Sequence, residues 1–390
     1  MKLDYKILLV FLILQGCDNI TGGVNQFSAA NDTLVIRTQK QKGEGLLLLG
    51  AGALNFKDAT EAFPYPVVIP KKLKEVKRAQ FVVDFKAENL HYVDIIEGIK
   101  GTEKVFIVDQ NNNNDLTDDS VRVYKKIKWG SWNESIKCEF LISNGHEIIR
   151  DSSWIRIGTY KERTWYGRYD QLTAKFSIDE DQFKVGVIDP LAVTTFTYGF
   201  TPEIALLSIN EVMKDTLLKV DLLKKNEFLK LNNQYYRFED ISTYGDYITL
   251  IKERDFDKKI GTQLGMIAPD FECISVNGKI INSAQLNDKI TIVANSCGCG
   301  GDKLSTKAFF DIKEAYGHKI HIVRLDSHIE EGLDGIHVDM QNEFNKDMYN
   351  KYRQVYCSRT AYVIGKNKRI IDKFPITDWK SSLTKKSGNL

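Results

Sequence analysis

The stretch Thr291-Ile-Val-Ala-Asn-Ser-Cys-Gly-Cys-Gly-Gly-Asp-Lys303 sets Cys297 and Cys299 one glycine apart, between an apolar run and a segment of helical spacing. Two thiols this close can close a disulfide and open it again, so the chemistry on offer is dithiol–disulfide exchange. The attacking species is the thiolate. A cysteine just upstream of a helix N-terminus meets unpaired backbone amides and the positive end of the helix dipole, which lower its pKa without help from a histidine.

The same residues offer a second chemistry. Cys-x-Cys presents two thiolates to a soft metal, and four of the six histidines, His318, His321, His328 and His337, follow soon after, so a copper site is the alternative to exchange. A hard cation is invited elsewhere. In Asp109-Gln-Asn-Asn-Asn-Asn-Asp-Leu-Thr-Asp-Asp-Ser120 the oxygens of Asp109, Asn111, Asn113 and Asp115 fall on alternate positions, the spacing of a calcium loop. Position twelve is Ser120 and not a bidentate glutamate, so Asp118 or Asp119 would have to complete the shell. A solvated asparagine-rich turn is the competing expectation.

Elements that position these groups follow from patterning. Between residues 33 and 252 short apolar runs recur, among them Leu34-Val-Ile-Arg, Gln80-Phe-Val-Val-Asp-Phe, Val105-Phe-Ile-Val and Tyr247-Ile-Thr-Leu-Ile, and they read as strands. In Phe183-Lys-Val-Gly-Val-Ile-Asp189 the residues Phe183, Val185 and Val187 share one face, after a turn at Asp179-Glu-Asp. A sandwich-like β-rich domain is expected, with other antiparallel arrangements open. Val105-Phe-Ile-Val-Asp109 and Val185-Gly-Val-Ile-Asp189 both end an apolar strand on aspartate, which hints at a duplicated unit. Residues 203–232 are leucine-rich without clear alternation and receive no assignment. The charged stretch 253–260 reads as a linker.

Beyond it, Asn277-Gly278 marks a hairpin, Ile290 to Ala294 a buried strand, Asp302 to Tyr316 a helix ended by Gly317, Ile320 to Leu325 a strand, Phe344 to Tyr352 a helix, and Thr360 to Ile364 and Arg369-Ile-Ile two more strands before a terminal helix near Trp379. The order β, β, α, β, α, β, β, α implies a sheet with helices on both faces.

At the N-terminus, Lys2 and Lys6 flank the start of an apolar run from Ile7 to Leu14, shorter than the roughly 20 residues of a spanning helix, so residues 1–16 read as an export signal. Leu14-Gln-Gly-Cys17 resembles the lipobox of bacterial lipoproteins. The resemblance implies that Cys17 is diacylated and becomes the first mature residue, with 17–32 a tether; several acyl chains anchor far more firmly than one. Five cysteines remain, Cys138, Cys273, Cys297, Cys299 and Cys357. An odd number cannot all pair, and Cys138 and Cys273 read as structural.

With Ala268-Pro-Asp-Phe271 at its head and cysteines at the first strand-to-helix junction, the C-terminal order resembles the thioredoxin-like fold, in particular the TlpA and AhpC/TSA redoxin group, over residues 260–383. The wider layout is similar to thioredoxin-domain lipoproteins of the Bacteroidota. That family's usual pair is Cys-x-x-Cys. The shorter Cys-Gly-Cys closes a smaller, strained ring, which points to an oxidant or isomerase more than to a strong reductant. Where reductases of this fold carry a cis-proline facing the cysteines, this chain has Arg359-Thr360. An arginine there is similar to peroxiredoxins, in which it helps to hold the thiolate, and this implies Arg359 as a thiolate stabiliser. The motif Pro-x-x-x-Thr/Ser-x-x-Cys does not survive, which disfavours peroxidase activity. Cys357 lies in the loop that the resemblance sets facing Cys297, as a resolving thiol or a packing cysteine.

The resulting expectation is an α+β chain of two domains, a β-rich one (33–252) and a thioredoxin-like α/β one (261–390) joined by 253–260. Its function would be thiol–disulfide exchange with protein thiols or disulfides, with Cys297 the nucleophile, Cys299 its first resolving partner, and a lipid anchor in the bacterial cell envelope. No cofactor is required; calcium would be structural. The non-enzymatic alternative is a degenerate thioredoxin-like scaffold whose lipoprotein acts as a binding module. With 54 Lys and Arg against 52 acidic residues and no basic stripe among aromatics, nucleic acid is not an expected partner.

Overall fold

Alternating apolar side chains bury one face of a strand and leave the other for solvent, and this pattern builds most of the molecule. The computed structural model describes residues 32–43, 51–84, 91–125, 135–143, 147–189, 194–207, 209, 222–296, 302–327, 329, 335–352 and 359–384. Residues 1–16, read from the sequence as an export signal, and Cys17 lie outside them.

The first strands are β1 (Thr33–Arg37), β2 (Gln39–Lys42), β3 (Gly52–Ala53) and β4 (Lys57–Asp58). Next come β5 (Lys74–Val82), β6 (Tyr92–Lys100), β7 (Glu103–Val108) and β8 (Arg122–Val123), then β9 (Ser135–Ser143), β10 (Ile148–Tyr160) and β11 (Arg163–Arg168). A further run holds β12 (Asp170–Ile178), β13 (Asp181–Ile188), β14 (Glu203–Leu207), β15 (Leu223–Lys224), β16 (Phe228–Leu231), β17 (Gln234–Ile241) and β18 (Tyr247–Glu253).

These strands form four sheets, ordered β4-β5-β6-β7-β8, β3-β11-β10-β9, β15-β14-β13-β12-β2 and β1-β18-β17-β16, with every neighbouring pair antiparallel. The first two pack face to face through Phe81, Val93, Ile95, Phe106 and Val108 against Ile136, Cys138, Phe140, Ile155 and Ile157. The last two pack through Leu172, Ala174, Phe176, Val185 and Val187 against Ile36, Leu229, Leu231, Phe238, Ile248 and Leu250. Each list advances in steps of two along its strands, and each fully buried Val, Ile, Leu or Phe contributes about 1.5–3 kcal/mol.

The expected single sandwich is therefore two packed pairs of sheets, and their topology repeats. In each pair a run of strands beginning at β5 or β12 makes one sheet, and the next three strands make the facing one. Of the N-terminal strands, β4 and β3 edge the first pair as β2 and β1 edge the second. The matching pentapeptides are not equivalent positions within this repeat, because Asp109 follows the third strand of its run and Asp189 the second. They share a local role instead. Both are fully buried, and each accepts backbone amides from the chain that follows, Asn113 and Asn114 on Asp109 and Phe200 and Thr201 on Asp189.

The stretch 253–260 is not loose. Phe256, 4% exposed, stacks on Tyr235 with ring centroids 3.5 Å apart and meets Phe228 edge-on. Gln263 bonds both the amide and the carbonyl of Phe228. Two residues later the amide of Gly265 donates to Ile370 O, and Arg369 donates to Gly265 O.

The C-terminal elements are the hairpin β19 (Glu272–Ile274) and β20 (Ile280–Asn282), then β21 (Ile290–Asn295), α1 (Lys303–Tyr316), β22 (Ile320–Asp326), β23 (Ile336–Asp339), α2 (Lys346–Tyr352), β24 (Thr360–Ile364), β25 (Ile370–Pro375) and α3 (Trp379–Thr384). The turn at Asn277-Gly278 is as expected, with Gly278 at φ 78°. The sheet runs β23-β22-β21-β24-β25, with β21, β22 and β23 parallel and β24 and β25 antiparallel. Every residue of the central strand β21 is buried. Its Ile290, Ile292 and Ala294 meet Ala308, Phe309 and Ile312 of α1 and Leu383 of α3, while Val293 shares a cluster with Met348 and Tyr352 of α2. Helices thus cover both faces. Strand β23 was not anticipated.

Candidate redox site

Cys297, Cys299 and Cys357 lie outside the described residues, in the segments 297–301 and 353–358. The residues that flank those segments are described, and they join the two segments at both ends.

Before the first segment, Ser296 donates its amide to Leu325 O. Asn295, 1% exposed, donates from its side-chain amide to Tyr352 O at 3.2 Å and to Thr360 O at 3.1 Å. Tyr352 ends α2 just before 353–358, and Thr360 begins β24 just after it. Two carbonyls facing the same nitrogen fix the amide's orientation, since the reverse placement would set oxygen against oxygen. The Asn295 Oδ1 consequently points the other way, buried and without a hydrogen-bond partner.

After the segments, Arg359 reaches Asp302. Its Nε donates to Oδ2 at 2.8 Å and its Nη2 to Oδ1 at 3.1 Å. Asp302 is the N-cap of α1: its carboxylate accepts the Ser305 amide and the Ser305 hydroxyl. The side chain of Asp302 is only 3% exposed, that of Arg359 35%. Two-point arginine–carboxylate pairs are directional as well as charged. The Arg359 backbone has φ 50°, the left-handed region that costs a non-glycine residue about 1–3 kcal/mol, and its carbonyl is taken by the Ile376 amide at 2.7 Å.

A second ion pair lies beside the first turn of α1. Arg324 on β22, 4% exposed, binds Asp326, 1% exposed, and also donates to the Thr306 hydroxyl at 2.7 Å. Thr306 in turn donates to Asp302 O. Among the described residues two arginine–aspartate pairs thus lie at the helix start.

Of the residues singled out in the sequence, Arg359 is brought to the N-cap of α1. Asp302 and Asn295 were missed. The signal for Asp302 was an aspartate immediately before a helical segment, the ordinary N-cap signature; Asn295 offered only a polar residue closing an apolar strand.

The remaining cysteines are shielded by burial. Cys138 and Cys273 are free and buried. Burial, with Glu272 adding to it, pushes the Cys273 thiol up to about 11, and burial pushes Cys138 higher still. Among the histidines, His321 pairs with Asp288 at 2.7 Å, and His337 is fully buried against Phe309 and Phe310. His328 lies outside the described residues. Among the described residues no group of three or more His, Cys, Asp or Glu side chains is disposed to hold a metal ion.

The loop 109–120 is bound up in its own hydrogen bonds. Asp109 accepts the Asn113 and Asn114 amides, Asn111 the Asn113 amide, Asn113 the Asp115 amide and Asp115 the Thr117 amide. Leu116 is buried against Ile96 and Ile107. Burial pushes the Asp109 carboxyl above its usual range, against the pull of those amides and aided by Asp119 and Asp94. Asp119 is pushed the same way by burial, and its Oδ2 has no partner.

No protein family and no curated protein matches the sequence. Solved structures of thioredoxin-like proteins match part of the chain. The thioredoxin domain of a thiol-disulfide oxidoreductase from Bacteroides vulgatus is 17% identical over 32% of this chain and 96% of its own, with a TM-score of 0.28. A thiol:disulfide interchange protein from Bacteroides sp. is 15% identical over 31% of this chain and 89% of its own, at 0.27. The exposed lipoprotein thioredoxin of Streptococcus pneumoniae is 14% identical over 30% of this chain and 99% of its own, at 0.24. No described helix is long and apolar enough to cross a membrane.

Proposed function

We propose that this chain is an envelope-anchored thiol–disulfide oxidoreductase of two domains, working through Cys297 and Cys299 and tethered by lipid on Cys17. The observation that carries this reading is the joining of the two cysteine-bearing segments: Asn295 bonds both flanks of 353–358, and Asp302 at the start of α1 bonds Arg359. A parallel strand leading into a helix N-terminus is where backbone amides favour a thiolate.

In the oxidising direction a substrate thiolate attacks the Sγ of Cys297 in the Cys297–Cys299 disulfide. The S–S bond breaks, and Cys299 leaves as a thiolate that takes a proton. The second substrate thiol, as its thiolate, displaces Cys297 from the mixed disulfide. Two electrons pass from the substrate dithiol to the pair, and the substrate is left with a disulfide. Isomerisation uses the first step and its reversal. Cys357 serves as an alternative resolving thiol. The test is loss of exchange in Cys297→Ser against a reversible Cys297–Cys299 disulfide in the unaltered chain.

A further inference from the structure

We draw no further inference here: the strongest candidate, the surface groove between α1 and the start of α3 that is lined by Leu304, Ala308 and Trp379 and edged by the Lys307–Asp311 ion pair, carries nothing, because nothing in the structure shows what covers it.

Discussion

The ring of Phe256 lies flat on that of Tyr235, with centroids 3.5 Å apart and planes within 5°. A stretch whose charges mark it as a linker is in this way bound to the β16–β17 hairpin, and through Gln263 and Gly265 the chain is bound two residues apart to that hairpin and to β25. With so little free chain between the anchors, the two parts are expected to unfold together. Removing the stacked ring in Phe256→Ala should cost about 3 kcal/mol and separate the single thermal transition into two, read by calorimetry. A single transition at an unchanged midpoint would show that the stack does not couple them.

Stability should also fall at alkaline pH through Cys273. Its thiol is pushed from 9.0 up to about 11 by burial and then by Glu272. The unfolded chain releases this proton near 9.0 while the folded chain keeps it to about 11, so the contribution is whole below pH 9 and is lost as pH rises through 11. Urea unfolding of the unaltered chain should therefore weaken across that window more steeply than that of Cys273→Ala. Equal slopes would contradict the burial.

For the loop 109–120, the alternate oxygens expected to ligate calcium accept the loop's own amides. The turn should then hold without an ion, and the melting temperature should be the same in excess calcium and in chelator. A fall of several degrees in chelator, abolished in Asp109→Asn, would instead show that Asp109 and the partnerless Asp119 Oδ2 hold a cation.

What was legible in the sequence is what short-range periodicity encodes. Phe183, Val185 and Val187 announce a strand by alternation, and β21 announces itself as an apolar run that leads to a segment of helical spacing. The two-residue edge strands β3 and β4 carry no periodicity, and their partners, β11 and β5, are found only through tertiary pairing. Strand β23, Ile336-His-Val-Asp, is too short and too polar to register, yet His337 is fully buried in it. The site divides the same way. Cysteines and Arg359 draw notice by type, whereas Asn295 and Asp302 gain their meaning from partners 65 and 57 residues away.

Alkylation mass spectrometry on the mature chain equilibrated across glutathione buffers, following Cys297, Cys299 and Cys357 separately, tests thiol–disulfide exchange at this pair. A reversible Cys297–Cys299 disulfide is expected to titrate near or above about −200 mV, the range of exchange catalysts, with Cys138 and Cys273 alkylated only after unfolding. Thiols at 297 and 299 that never pair, in any buffer, would contradict it.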